Sequence, residues 1–448
     1  MRAEEYLTIL TDQIRCRMAR EDVRKELLCH IEDQKAAFLS EGMEAAEAEE
    51  AAVREMGDPV ETGNELDRIH RPKMAWGMIA LIAVLSIVGY LAQYLLQEKW
   101  IAAGGTGEAG AAGDLLYMIA GLAVMIGVCF ADYTRIAVRA REILILMFLF
   151  FAVGPIFFGT EVNGSVNWIE LPLVGTFTLS YVQLLTVPLY AAVLYRYRGQ
   201  GYGALLKAVL WMLPSVLIAA GRPNIVLAGV LMLACLAVLA AAVWKRWFRV
   251  ARRPVLAGIA AFAAGAPAAA AVFVWFFGSA YQRERLRYVL DPAGAGIGYT
   301  ASSAVRDLMG GSRMIGEGGA GNIAQFPNMV EFVLSGVAAS YGILAAALIM
   351  GLILFLFMRF MRISLGQRNQ LGMLMGTGCC AVFLIETLIY IAVNLGIIYI
   401  DSCCPFLTPG GTGMVMTYIM LGLLLSIYRY QNTAPERKMS ARLFRTSE

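Results

Sequence analysis

A lone carboxylate, Glu331, stands at the start of an apolar run in FPNMVEFVLS, residues 326–335. Charged groups at membrane depth are costly and tend to be functional. At a helix edge the cost is lower, and the helix dipole favours a carboxylate near the N-terminus. Glu331 therefore reads either as a helix cap or as a reacting group. Upstream, YQRERLRYVLDP (281–292) carries Arg283, Arg285 and Arg287. Guanidinium groups hold phosphates through paired hydrogen bonds, so the three read as an anion site or as ordinary surface charge. Between them and Glu331, GIGYTASSAVRDLMGGSRMIGEGGAG (296–321) supplies Gly310, Gly311, Gly316 and Gly318. Such glycines permit tight turns and could present N–H groups to an oxyanion. No GKS or GKT follows, so this is not a P-loop. A second carboxylate, Glu386, lies inside another apolar run and reads as a protonated structural group or as a site residue. The 8 cysteines form no CxxC, and neither His30 nor His70 sits among metal-type ligands. They read as small apolar fillers and surface histidines.

These groups need a membrane scaffold. The chain has 448 residues, 59% hydrophobic and 16% charged, against roughly 45–50% and about 25% in soluble proteins. That makes it an all-α polytopic membrane protein. About ten apolar runs of spanning length lie near 75–95, 114–131, 142–159, 175–195, 204–220, 224–243, 255–277, 332–358, 371–396 and 411–427. Residues 1–73 hold 11 Lys/Arg and 18 Asp/Glu, and the remainder 26 and 16. An acidic domain thus precedes a basic membrane part. Without basic–aromatic interleaving, nothing points to nucleic acid. The first 70 residues lack the apolar core of a signal peptide.

Periodic apolar residues predict three helices in residues 1–73: Leu7, Leu10 and Ile14, then Val23, Leu27, Leu28 and Ile31, then AAEAEEAAVREMGD, closed by Gly57 before Pro59. DPVETGNELDRIHRPK leads toward the membrane. The expected division is a helical prefix domain (1–73), a ten-helix membrane domain (74–430) and a basic tail (431–448). Arg135, Arg139, Arg141, Arg196, Arg198, KRWFRVARR (245–253), Arg359, Arg362, Arg368 and the tail all fall on one side if the N-terminus is inside. The positive-inside rule then puts both termini in the cytoplasm. The loop 278–330 falls outside, and loops of that length are usually functional or disordered.

The motifs, taken in order, carry a family resemblance. Arg285, Leu290-Asp291-Pro292, Gly298-Tyr299, Gly310-Gly311, Gly316-Glu317-Gly318, Phe326-Pro327, Glu331-Phe332-Val333-Leu334 and Gly342 resemble the outer loop and following helix of the SEDS proteins, the FtsW/RodA/SpoVE family. PFLTPGGTG (405–413) is similar to the family's Pro-Phe-x-Ser-Tyr-Gly-Gly-Ser-Ser signature. NGSVNWIEL (163–171) is similar to its Asn-Gly-x-x-x-Trp-Ile. The prefix resembles the short helical domain that precedes membrane segments in many Firmicute proteins.

The resemblance implies a multi-pass protein of the bacterial plasma membrane, a peptidoglycan glycosyltransferase that polymerises lipid II at the outer face. A class B penicillin-binding protein is the implied partner, and the prefix would meet a cytoplasmic protein. Glu331 matches the family's catalytic Asp, a general base on the acceptor hydroxyl. Arg283, Arg285, Arg287, Arg222 and the four glycines are the implied substrate contacts. The cofactor is left unassigned; Arg or a divalent cation would stabilise the leaving pyrophosphate.

The sequence also departs from the pattern. The Pro-to-carboxylate gap is one residue short. The family's Gln-Pro-Ser-Glu and following Lys become Ser180-Tyr181-Val182-Gln183 and Thr186. Gln-Pro-Asp-x-Gly becomes Arg222-Pro223-Asn224-Ile225-Val226. The Glu-Glu pair after the catalytic position becomes Ala339-Ser340, and the Gln and Asn of span nine become Glu386 and Tyr390. A polymerase, a non-catalytic scaffold or regulator that kept the fold, and a transporter of lipid-linked precursors all remain open at this point.

Overall fold

A computed structural model of the chain describes residues 1–104, 111–162, 165–171, 175–222, 224–278, 280–290, 297–318, 331–367, 369–400 and 402–431. The chain divides into two compact units. One joins Met1–Ala75 to Gln367–Gln370 and Ile427–Glu448; the other comprises Trp76–Gly366 and Leu371–Ser426.

In the first unit, α1 (Ala3–Gln13), α2 (Arg17–Ser40), α3 (Ala45–Glu55) and α4 (Pro59–His70) enclose a core built on Tyr6, Leu7, Leu10, Ile14, Val23 and Val53. The Met56–Pro59 turn has a clear physical basis. Gly57 takes φ +80°, the Asp58 carboxylate accepts the N–H groups of Val60 and Glu61, and Pro59 occupies the first helical position. The stretch expected to lead toward the membrane is thus a fourth helix. It packs on α1 so closely that a Cβ at Gly63 would lie 2.7 Å from the Leu10 carbonyl oxygen. Buried Asp67 accepts the Arg15 N–H at 2.9 Å and pairs with Arg71 at 3.5 Å.

The second unit runs through α5 (Trp76–Ala102), α6 (Ala111–Phe130), α7 (Tyr133–Val138) and α8 (Ala140–Phe158). Next come β1 (Gly159–Val162), β2 (Ser165–Leu171) and β3 (Gly175–Thr178), then α9 (Leu179–Gln183), α10 (Thr186–Tyr195), α11 (Tyr202–Gly221) and α12 (Ile225–Trp244). It continues with α13 (Arg252–Phe277), α14 (Ala280–Leu290), α15 (Ile297–Gly310), α16 (Val333–Tyr341) and α17 (Ile343–Leu365). α18 (Gln370–Asn394) and α19 (Gly411–Arg429) complete the series. Among the described residues, nine helices are long and apolar enough to cross a membrane: α5, α6, α8, α11, α12, α13, α17, α18 and α19. Within each of these helices the backbone N–H and C=O groups pair with one another, as a segment crossing hydrocarbon requires.

Three features differ from the sequence reading. The run at 175–195 is not one helix: β3 takes its start, and α9 and α10 share the rest. The run at 332–358 is broken at Gly342 into α16 and α17. Residues 159–178 add a small antiparallel sheet in the order β1-β2-β3, with Trp168 opposite both Thr160 and Thr178. Thr160, Val166, Trp168, Ile169, Thr176 and Phe177 are the β-branched and aromatic residues that suit a pleated surface. Ile169 anchors the sheet on Phe151 of α8 and Leu179 of α9.

Candidate functional site

Glu331 is half-buried and stands one residue ahead of Phe332, the N-cap residue of α16. Two devices fix it. The first is buried Asn394, the last residue of α18. Its Nδ2 donates to the Glu331 carbonyl at 3.2 Å and to the Tyr390 carbonyl at 3.1 Å. Its Oδ1 accepts the Ser335 N–H at 3.1 Å and the Ser335 hydroxyl at 3.0 Å. One amide thus serves the start of α16, where helical N–H groups have no partner of their own. Phe332 is buried beside it and stacks on Tyr399, with ring centroids 6.4 Å apart.

The second device is a clasp over the break in the membrane helix. Gly342 takes φ +104°, and a Cβ there would lie 2.7 Å from the Met314 carbonyl oxygen and 2.8 Å from the Ile315 Cα. The segment 313–318 closes over this point. Gly316 N–H donates to Tyr341 O at 3.2 Å and Gly318 N–H to Ala339 O at 3.1 Å. Ile343 N–H donates to Arg313 O at 3.0 Å and Leu344 N–H to Met314 O at 3.2 Å. The broken helix therefore keeps its backbone groups satisfied, as irregular backbone at membrane depth must. Lys99, near the end of α5, pins the clasp: its Nζ lies 3.1 Å from Glu317 and 5.0 Å from the centre of the Tyr341 ring.

The predicted contacts fall into separate places. Gly316 and Gly318 lie over the break at Gly342, where their N–H groups serve the clasp. Gly310 ends α15, and Gly311 follows it in an exposed turn. Arg283 and Arg287 are exposed on α14, where Arg287 lies over the Trp275 ring of α13 at 5.7 Å. Arg285 shares that helix. Arg222, which caps α11, donates to the Phe151 carbonyl and lies over the Phe151 ring at 5.7 Å, so it ties α11 to α8. The motif residues Asp291-Pro292, Phe326-Pro327 and the Asn163-Gly164 pair lie outside the described residues, as do Pro223, Arg368 and the tail from 432 onward.

A second locus gathers positions that depart from the family pattern. A cavity of about 160 Å³ is lined by Asn167 and Trp168 of β2, Ser180 and Tyr181 of α9, Asn224 ahead of α12, Glu386 of α18, and Ser402. Asn167 Nδ2 donates to Ser180 Oγ, and so does Asn224 Nδ2 at 3.3 Å. Asn224 Oδ1 caps α12 by accepting the Leu227 N–H at 3.0 Å. Glu386, Tyr390 and Asn394 follow one another at four-residue spacing on α18, so a single stripe carries the cavity carboxylate and the amide beneath Glu331. Eight residues of helix put them about 12 Å apart along its axis. The block at 405–413 locks neighbouring elements: Phe406 takes φ +71°, its carbonyl accepts Gln93 of α5 at 3.0 Å, and Thr412 Oγ1 accepts the Thr178 N–H at 3.2 Å. Among the described residues no three His, Cys, Asp or Glu side chains gather as a metal site.

Sequence reasoning missed Asn394, Lys99 and Asn167 as individual functional positions. The available signals were a neutral amide ending an apolar span, a basic residue ending α5, and the second asparagine of the NGSVNWIEL block.

Nine apolar helices of spanning length, a break at Gly342 closed by a backbone clasp, a carboxylate flanking α16 and a cavity between the sheet and α9, α12 and α18 define a polytopic α-helical membrane protein. A family model described as cell cycle protein, FtsW/RodA/SpoVE, matches residues 72–433. The chain belongs to the FtsW/RodA/SpoVE family. Among its relatives, a protein of Enterococcus hirae named "Probable peptidoglycan glycosyltransferase FtsW" is 26% identical over 375 residues, 79% of this chain and 92% of that protein. A protein of the same name from Trichlorobacter lovleyi is 27% identical over 164 residues, 35% of this chain but only 43% of that protein's length. Stage V sporulation protein E of Bacillus subtilis is 29% identical over 101 residues, 22% of this chain and 28% of that protein.

Two solved structures share the fold. One comes from work on "structural coordination of polymerization and crosslinking by a peptidoglycan synthase complex". It matches with a TM-score of 0.62 at 23% identity, over 80% of this chain and 99% of that one. The other is the rod shape determining protein RodA of Thermus thermophilus, with a TM-score of 0.55 at 19% identity, over 80% and 97%.

Proposed function

We propose that this protein is a peptidoglycan glycosyltransferase that polymerises lipid II at the outer face of the bacterial plasma membrane. The observation that carries the reading is the placement of Glu331: a half-buried residue just ahead of a membrane helix that is broken at Gly342, with its backbone carbonyl held by Asn394. Pre-organisation of this kind is what a general base requires. Glu331 takes the proton of the acceptor sugar hydroxyl as its oxygen attacks the anomeric carbon of the donor. The bond from that carbon to the pyrophosphate breaks, and undecaprenyl pyrophosphate leaves with the electron pair. Arg283, Arg285 and Arg287 supply positive charge to it. A divalent cation, if bound, would supply the same charge, and no residue of this chain is assigned to hold one.

Both termini and the prefix domain lie in the cytoplasm, because the basic connections then share the inner side. A class B penicillin-binding protein is the partner in the membrane, in keeping with the peptidoglycan synthase complex that shares the fold. The prefix, with its excess of acidic residues, engages a cytoplasmic protein. Gln183, Thr186 and Asn224, which replace charged family residues, favour a second reading, a scaffold that kept the fold and lost turnover. Purified protein supplied with labelled lipid II, alone and with class B partners, separates the two: glycan polymer supports the polymerase, and absence of polymer under every pairing supports the scaffold.

A further inference from the structure

The connections α10–α11 and α12–α13 are tied into one basic platform. Gly199 N–H donates to the Trp247 carbonyl at 2.7 Å, and Arg249 N–H to the Gln200 carbonyl at 2.9 Å. Ala251 N–H donates to the Tyr202 hydroxyl at 3.2 Å. Trp247 and Phe248 are buried, with Trp247 edge-on to Tyr195 at 5.3 Å between ring centroids. Lys245, Arg246, Arg249 and Arg253 stay exposed. Three further cations are laid on rings: Arg252 lies 3.7 Å from the centre of Trp244, Lys207 5.4 Å from Tyr197 and Arg198 6.0 Å from Trp247. The chain has no Asp or Glu between Glu170 and Glu284. Among the described residues, Lys245, Arg246, Arg249, Arg252 and Arg253 take part in no ion pair. Setting orientation needs only positive charge on one side. It does not need cations held on rings or two connections bonded together.

We propose that this platform binds the phosphate headgroup of an anionic phospholipid, whose acyl chains lie along α11. A guanidinium stacked on a ring keeps its edge N–H groups for paired bonds to phosphate oxygens. The rings place the cations in advance, which lowers the ordering cost of binding. Trp244 and Tyr202 are exposed, as suits aromatic side chains at a membrane–water interface. One turn beyond Tyr202, the exposed Leu206, Leu210, Leu213 and Leu217 form a single stripe down α11. Acyl chains cover such a stripe. In the proposed orientation the platform faces the inner leaflet, where clustered basic residues meet anionic headgroups. The inference stands apart from the glycosyltransferase reading, since it uses none of the residues around Glu331.

The test uses the full chain in neutral detergent micelles, with native mass spectrometry to count bound lipid. Phosphatidylglycerol and phosphatidylcholine with the same acyl chains are the probes, and glycerol phosphate stands for the free headgroup. The wild type should hold phosphatidylglycerol saturably and about tenfold more tightly than phosphatidylcholine. Arg249→Gln/Arg252→Gln should lose about tenfold of that affinity. Arg359→Gln/Arg362→Gln removes the same charge from exposed residues of α17 and should keep it. Glycerol phosphate at about 10 mM, ten times a millimolar affinity, should not displace the lipid. Equal loss in both double variants, equal affinity for the two lipids, or displacement by glycerol phosphate would overturn the proposal. Undiminished binding by the platform variant would also overturn it and leave these cations to a protein partner. The comparison of the two lipids needs only the wild type, so it decides the case even where a variant fails to fold.

Discussion

The Asn394 side chain makes four hydrogen bonds at the start of α16, to two carbonyls, one N–H and one hydroxyl. Replacing it by Ala leaves buried donors and acceptors without partners, a cost of about 1–3 kcal/mol. Asn394→Ala should therefore lower the melting temperature and slow polymerisation together, measured by thermal unfolding and by product yield. Lys99→Ala should differ. Its pair with Glu317 is partly exposed, so the stability change should stay within about 1 kcal/mol. At this scale the sequence was unevenly informative. Glu331 stood out because a charge beside an apolar run is expensive. Asn394 did not, because a neutral amide at the end of an apolar span looks like any helix terminus, and its importance depends on Ser335, 59 residues away.

The clasp governs the elements. Gly342 combines φ +104° with close contact to the backbone of Met314 and Ile315, so it has neither the conformation nor the space for a side chain. Gly342→Ala should cost about 1–3 kcal/mol through backbone strain alone, visible as a lower melting temperature. It should also reduce activity, because α16 begins two residues after Glu331. Apolar run lengths located eight of the nine spans closely, since lipid imposes length and composition. They could not show the break at Gly342, because the apolar pattern continues through it and only the crossing segment at 313–318 makes the break stable. The division of residues 175–195 into β3, α9 and α10 was hidden for a related reason: GTFT is as compatible with an apolar helix start as with a strand until β2 is present to pair with it.

For the whole molecule, orientation is directly testable. Cys29 is exposed in the prefix domain, so a membrane-impermeant maleimide should label it only after cells are permeabilised. Labelling in intact cells would reverse the assigned topology. Deleting residues 1–70 should leave lipid II polymerisation intact in micelles but disturb localisation in cells; a deletion without any cellular effect would remove the prefix–partner proposal. The acidic prefix and the basic membrane part were legible in the sequence because charge is additive along the chain. Convergence of Asn167, Ser180, Asn224 and Glu386 on one cavity was not, because the four come from distant segments that only the fold brings together.

The central claim is that Glu331 is the base. The most direct measurement is the initial rate of glycan polymer formation from labelled lipid II, with a class B partner present, for the wild type, Glu331→Gln and Glu331→Asp. Gln keeps the shape and removes the basicity, so the rate should fall by about 100-fold or more with the melting temperature unchanged. Asp keeps the charge on a shorter arm and should retain part of the rate. A Gln variant that polymerises at the wild-type rate would contradict the account.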